Sequence, residues 1–260
     1  MLKGRCAVIT GSTQGLGLAI AERLAAEGCN IVLNGFGEPT LIEQTRAGLA
    51  AEHGVTVLHH GADVGVAAEV ADLVATAERA FGGVDILVNN AVVRHFSPIE
   101  SFRPEDWDRA LAVNLSAAFH TVRLTLPGMR ARDFGRIVNV ASIYSLIGSA
   151  NRVDYVTTKT ALLGFTRAIA LETATSGITC NAICPCTIPT PNIEARLEAE
   201  RAQSGLSRAE AERAFLATRQ PTGRFIAPER VAGVVAMLCG PDGADITGAA
   251  IPIDGGWSAA

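Results

Sequence analysis

Residues 6–17 read Cys6-Ala7-Val8-Ile9-Thr10-Gly11-Ser12-Thr13-Gln14-Gly15-Leu16-Gly17. A short apolar run ends in three glycines, and residues 16–26 then follow helical spacing. Glycine lets the backbone turn tightly and come close to a pyrophosphate. The helix N-terminus beyond it offers free N–H groups and a partial positive charge. Taken alone, such a triplet is no more than a tight turn. Between the first strand and first helix of a parallel sheet, it is where dinucleotide binding needs it.

The chain around it repeats the strand–helix alternation. Residues 31–33, 55–58, 84–88, 136–140, 178–184 and 250–253 read as strands. Residues 39–53, 67–81, 107–129, 152–175 and 228–238 read as helices. The helix at 107–129 is entered through Arg103-Pro104-Glu105-Asp106, and the last has proline in its first turn. Val- and Ile-rich strands without polar alternation fit burial on both faces. The expected fold class is α/β, a single-domain Rossmann-type doubly wound parallel sheet over residues 1–260. Residues 187–225 break the rhythm, with three prolines, many charges and short helical patterns near 193–203 and 208–219. Ligands bind at the carboxyl ends of such strands, so this helical insertion after strand six is expected to be a lid. The competing reading is a surface excursion used in subunit contact.

Composition narrows the function class. The 260 residues carry a formal charge of −4, against the basic surplus of a nucleic-acid binder. No apolar run reaches the roughly 18–20 residues that span a bilayer. Met1-Leu2-Lys3-Gly4-Arg5 leads straight into a strand with no separate signal-peptide core, so a soluble cytoplasmic protein is expected. Of the six cysteines, three crowd into 180–186, but no second Cys/His cluster completes a zinc site. Buried small hydrophobes in a reducing compartment are expected, and no metal.

Tyr155-Val156-Thr157-Thr158-Lys159 puts a phenol and an amine four residues apart, on one helix face. Ser142 closes the preceding strand. An isolated Tyr-x-x-x-Lys is common; this one follows strand five. Oxidising a secondary alcohol requires loss of the hydroxyl proton as hydride leaves the same carbon. A free tyrosine, pKa about 10, is a poor base near neutrality, and a nearby ammonium favours the phenolate.

The spacing Thr-Gly-x-x-x-Gly-x-Gly at 10–17 resembles the short-chain dehydrogenase/reductases, as does the Ser142…Tyr155-x-x-x-Lys159 set. Asn89-Asn90-Ala91, Ile246-Thr247-Gly248 and Asp254-Gly255-Gly256 extend the likeness over nearly the whole chain. The resemblance implies a catalytic set of Tyr155, Lys159, Ser142 and Asn114. Lys159 would also bind the nicotinamide ribose, and Asn114 would hold a water linking Lys159 to solvent. An internal hydrogen bond is the alternative for Asn114. The implied cofactor site comprises Gly11, Thr13, Gly15, Leu16 and Gly17 at the phosphates, with Phe36 after strand two and Asp63 and Val64 at the adenine. It continues through Asn90, Tyr155, Lys159 and Pro185 to Ile188 and Thr190 around the nicotinamide. Asp63 also reads as a loop or capping residue. The stretch Asn34-Gly35-Phe36-Gly37-Glu38 holds no Lys or Arg for a 2′-phosphate, and Glu38 would repel one. NAD is therefore the expected cofactor, although the usual Asp is absent.

Residues 31–37, 114–117, 170–174 and 181–185 resemble the bacterial D-3-hydroxybutyrate dehydrogenases, which implies NAD dependence, a homotetramer and a small carboxylate substrate. The pocket positions depart from that pattern. Arg94 replaces Gln, Tyr144 replaces His, Arg152 replaces Lys, Arg196 replaces a lid Gln and Thr187 replaces a lid Trp. Val92 and Cys186 stand where glycines are expected. The implied substrate site is Ser142, Tyr155, Arg94, Tyr144, Arg152, Thr187 and Arg196. Arginine grips carboxylate, phosphate or sulfonate oxygens through a planar fork. The expected substrate is thus a small anion: a 3-hydroxybutyrate-like acid, or alternatively a larger sugar acid or sulfonated sugar. Arg152 could instead pair with Asp154, and Arg196 with its acid-rich helix. A redox-silent NAD-binding regulator is the distant alternative.

Overall fold

Alternate residues of a strand face opposite sides of its sheet, and β1 (Cys6–Ile9) has no polar side. Ala7 and Ile9 enter one core layer, with Ile20 and Leu24 of α1 (Gly15–Ala26) and Val231 and Val235 of α9 (Pro228–Cys239). Cys6 and Val8 enter the other, with Leu73 and Ala77 of α3 (Ala67–Phe81) and Val122 and Met129 of α5 (Ala117–Ala131). Helices therefore cover both faces. Each fully buried Leu or Ile contributes about 1.5–3 kcal/mol of transfer free energy. The computed structural model describes residues 2–259, without the side chains of Pro191, Asn192 and Arg196.

The other strands are β2 (Asn30–Asn34), β3 (Val57–His60), β4 (Ile86–Asn89), β5 (Gly135–Val140), β6 (Ile178–Pro185) and β7 (Ala250–Ile253). They form one parallel sheet in the order β3-β2-β1-β4-β5-β6-β7. Val8 pairs with Val32 on one side and Leu87 on the other. Strand order reverses between β1 and β4, which opens a crevice at their carboxyl ends. The remaining helices are α2 (Pro39–His53), α4 (Pro104–Leu111), α6 (Val153–Glu172), α7 (Pro191–Ser204) and α8 (Arg208–Leu216). Among the described residues, no helix is long and apolar enough to cross a membrane.

A buried polar relay fixes the centre. Thr121 of α5 donates to Asn89 Oδ1 (2.8 Å), Asn89 donates to Asn139 Oδ1 (2.9 Å), and Asn139 donates to Thr166 of α6 (2.9 Å). Each group is satisfied, so the relay fixes β4 and β5 against the two helices.

Several boundaries differ from the sequence expectation. The third strand begins at Val57, not Val55, because Val55 packs on the core and Asn30 Oδ1 accepts the Thr56 N–H (3.0 Å). It runs on through His59 and His60, whose polarity disguised them. The fourth begins at Ile86, because the Asp85 carboxylate takes the Cys6 N–H (3.0 Å). The helix expected at 107–129 starts at Pro104 and is interrupted by a π turn, Ala112–Ser116. The helix expected to reach 175 ends at Glu172, where the Thr173 hydroxyl turns back to the Ile169 carbonyl (2.8 Å). The second insertion helix stops at Leu216 rather than 219.

The 187–225 excursion carries α7 and α8 and is closed at its base. Gln220, nearly fully buried, accepts the Thr187 N–H (3.1 Å) and donates to the Arg224 carbonyl (2.7 Å). Ile226 N–H returns to the Thr187 carbonyl (3.1 Å). Arg208 joins the two helices through Glu194 (2.6 Å).

Candidate active site

The glycine turn follows β1 and opens α1. A Cβ on Gly17 would fall 2.3 Å from the Gly11 carbonyl oxygen, so only glycine lets the helix approach the strand. Gly15 has φ +60° and nothing within 4 Å of where a Cβ would stand. Gln14 at the α1 N-cap makes no side-chain capping hydrogen bond, and the first turn carries no acid. An open, left-handed glycine beside an uncapped helix N-terminus fits a pyrophosphate. Thr13 donates to the Phe36 carbonyl (2.9 Å), and Phe36 is exposed beside the turn. Asn90 donates to the carbonyls of Thr10 and Gly11 (both 2.9 Å), stapling β4 to the turn. Buried Asn34 accepts the Gly11 N–H (3.3 Å) and donates to the His60 and Ala62 carbonyls (3.0 and 2.9 Å). The polar residue ending β2 is thus consumed inside the protein.

Asp63 accepts from Arg109 (2.9 Å) and from the Gly65 N–H (2.9 Å), and the guanidinium holds its carboxyl below the usual range. Val64 is buried with Val70 and Val113. Glu38 caps α2 through the N–H groups of Thr40 and Leu41. Pro185 ends β6, Ile188 packs on the core, and Thr190 caps α7 by accepting the Ile193 N–H (3.3 Å).

Tyr155 and Lys159 lie buried on one face of α6, with Lys159 Nζ 5.8 Å from the Tyr155 ring centroid. Lys159 donates to the Val140 carbonyl (2.6 Å). Burial first, then the positive charge of Arg94, pulls its pKa down to about 7. Ser142 accepts the Tyr144 N–H (3.2 Å), which leaves its own proton free to donate. Ser145, not anticipated from sequence, accepts the Ser142 N–H (3.2 Å) and donates to the Lys159 carbonyl (2.9 Å). Its signal is the Ser-x-x-Ser spacing of a capping box.

Asn114 occupies the π turn. It accepts the Val93 N–H (2.8 Å) and donates to the Val93 carbonyl (3.0 Å) and the Thr158 hydroxyl (3.3 Å). Its side chain therefore fills the internal hydrogen-bond role.

The Arg94 and Arg152 guanidiniums lie 5.6 and 6.0 Å from the Tyr155 ring centroid. Arg152 also lies 5.6 Å from the Tyr144 ring and 5.4 Å from the Phe96 ring. Among the described residues, no carboxylate forms an ion pair with either arginine. The pairing of Arg152 with Asp154 is not formed; Asp154 is taken by His95 Nδ1 at 2.8 Å. Tyr144 packs edge-on to Tyr155 (6.2 Å) and to Trp257 (5.8 Å), which the sequence alone did not bring here. Thr187 lies at the base of the insertion, its hydroxyl 3.6 Å from Cys186 Sγ. The Arg196 side chain lies outside the described residues. Val92 and Cys186 are not among the residues of positive φ, so neither position demands the missing glycine. Five cysteines are buried and Cys186 is half-buried; burial pushes the Cys180 thiol up to about 12.

The comparisons agree with this architecture. A family model described as enoyl-(acyl carrier protein) reductase matches residues 11–258. The D-beta-hydroxybutyrate dehydrogenase of Cupriavidus necator is 45% identical over 260 residues, covering 100% of both chains. That of Rhizobium meliloti is 45% identical over 255 residues, covering 98% of this chain and 99% of the other. The crystal structure of L-sorbose reductase from Gluconobacter frateurii, complexed with NADPH and L-sorbose, superposes with a TM-score of 0.92 at 33% identity, covering 100% of this chain and 98% of that one. With a parallel sheet that switches at its glycine turn and a Ser–Tyr–Lys group beside the crevice, the chain belongs to the short-chain dehydrogenase/reductase family, a family of oxidoreductases.

Proposed function

We propose that the protein is an NAD-dependent dehydrogenase that oxidises a secondary alcohol on a small anionic substrate, with a 3-hydroxybutyrate-like acid as the leading class. One observation carries the substrate class: two arginines without carboxylate partners converge on the Tyr155 ring. The 45% identity to two D-beta-hydroxybutyrate dehydrogenases supports the hydroxy acid. The absence of Lys and Arg from 34–38 and the presence of Glu38 support NAD over NADP. A homotetramer in the cytoplasm completes the reading, with apolar Phe119 and Leu171 exposed on α5 and α6 for a second copy to cover.

In this reading the glycine turn, Thr13, Phe36, Asp63, Val64 and Asn90 hold the adenine and phosphate half of the dinucleotide. Pro185, Ile188 and Thr190 hold the nicotinamide half. When bound, the nicotinamide supplies the hydride acceptor. Ser142 donates to the substrate oxygen, and the Tyr155 phenolate removes the hydroxyl proton. Arg94 and Arg152, joined by Lys159 when its amine is protonated, surround that oxygen with positive charge, and Asn114 holds the loop that carries Arg94. Arg94, Arg152, Tyr144, Thr187 and Arg196 shape the anion pocket, and residues 187–225 form its lid. A larger anion, a sugar acid or sulfonated sugar, is the second reading, because one carboxylate does not need two forks. A redox-silent regulator has no use for the complete Ser142, Tyr155 and Lys159 set.

The test is NADH formation with D-3-hydroxybutyrate, sugar acids, sulfonated sugars and neutral alcohols. Efficient turnover of D-3-hydroxybutyrate supports the leading class. Turnover of the larger anions alone moves the substrate to the second reading. No turnover, or turnover of neutral alcohols alone, overturns the proposal.

A further inference from the structure

Arg94 and Arg152 come from different segments, which meet at one junction. Asp154 lies at the start of α6, two residues beyond Arg152, and is wholly buried. Its Oδ2 lies 2.8 Å from His95 Nδ1, while its Oδ1 has no hydrogen-bond partner among the described residues. His95 Nε2 faces Asp106 of α4 at 3.6 Å, and the ring stands edge-on to Phe102 at 6.0 Å. Beside this clamp, Ser97 N–H donates to the Asn151 carbonyl (3.0 Å). Asn151 has φ +61°, and Arg152 follows it directly. On the other side of Arg94, Val93 is held at both backbone groups by Asn114. Arg94 therefore stands between two anchored residues.

Burying a carboxylate with one oxygen unsatisfied is costly, and an apolar residue of similar size would often stabilise the fold as well or better. The arrangement is better explained by what it positions.

We propose that His95 is a specificity-positioning residue: clamped between Asp154 and Asp106, it locks the Arg94 loop onto α6 and so sets the spacing of the two guanidiniums that receive the substrate anion. The inference rests on the proposed anion pocket. His95 itself touches neither substrate nor cofactor in this scheme; it acts through Arg94.

A double-mutant cycle tests it. Acetoacetate is titrated calorimetrically into the enzyme–NAD complex, with ethyl acetoacetate as the uncharged comparator. Melting temperature and NAD affinity serve as folding controls. Arg94→Ala and His95→Ala are each expected to weaken acetoacetate about tenfold or more, because one removes and the other misaligns a charge-assisted hydrogen bond, roughly twice as strong as a neutral one. Ethyl acetoacetate should move less than about twofold. The double variant should bind no more weakly than Arg94→Ala, since the two residues act as one unit. His95→Asn, which keeps a donor near the Nδ1 position, should restore affinity to within about threefold of the parent. Should His95→Ala not fold, Asp106→Asn takes its place, with an expected weakening of about threefold that vanishes in the Arg94→Ala background.

If Arg94→Ala weakens acetoacetate but His95→Ala and Asp106→Asn do not, the positioning role is overturned and the anion pocket stands. Losses that add in the double variant overturn it equally. If Arg94→Ala has no effect, the anion pocket itself is wrong and the inference goes with it.

Discussion

The amine of Lys159 lies 2.6 Å from the carbonyl oxygen of Val140, at the carboxyl end of β5. One hydrogen bond does not offset the loss of solvation, and the pKa falls from the ordinary 10.5 to about 7. Between those values the unfolded chain binds a proton at Lys159 that the folded chain does not. Stability from this site therefore rises with pH across the window, and below about 7 the cost of burying the charge is carried in full. Lys159→Met should raise the melting temperature of the cofactor-free protein at pH 6, and the gain should shrink towards pH 10. Thermal melts of both proteins across this range check it; a gain independent of pH contradicts the account.

Ser145 couples Ser142 to the backbone of Lys159. Ser145→Ala removes two buried hydrogen bonds, each worth about 0.5–1.5 kcal/mol. It also releases the turn that aims Ser142. Turnover should fall about tenfold with KM changed less than threefold, because the proposed bond from Ser142 to the substrate oxygen would matter most in the transition state. Steady-state kinetics decide this; a rise in KM alone would place Ser145 in binding.

The sheet was legible because every strand contains an apolar run and every crossover carries a helix. The glycine turn could be placed because it falls between the first strand and helix. Strand ends were less visible: His59 and His60 are polar, yet they complete β3. The π turn at Asn114 leaves no mark on apolar periodicity; only the poor helix propensity of Asn hinted at a tertiary role. The Tyr155, Lys159 and Ser142 group was readable because it is local to β5 and α6. Trp257 and His95 were not, because their neighbours come from distant segments. The nearby Arg152 and Asp154 suggested a pair that His95 forms instead with Asp154.

Arg152 has aromatic neighbours and no ion-pair partner among the described residues. Arg152→Ala should raise KM about tenfold for D-3-hydroxybutyrate while leaving a neutral secondary alcohol nearly unchanged. Equal losses on both substrates would assign Arg152 a structural role.

Cofactor choice follows from the β2 end. Asn34 is consumed inside the fold, Glu38 caps α2, and Phe36 is exposed. The kcat/KM for NAD should exceed that for NADP by about 100-fold, and Phe36→Arg should narrow the gap. A parent enzyme that prefers NADP contradicts this reading.

In the proposed reaction Tyr155 takes the substrate proton. Its most direct test is NADH formation by Tyr155→Phe, measured beside NAD affinity in the same preparation. Turnover should fall at least about 1000-fold with NAD affinity held within about twofold. Turnover above about a tenth of the parent, with NAD still bound, would contradict it.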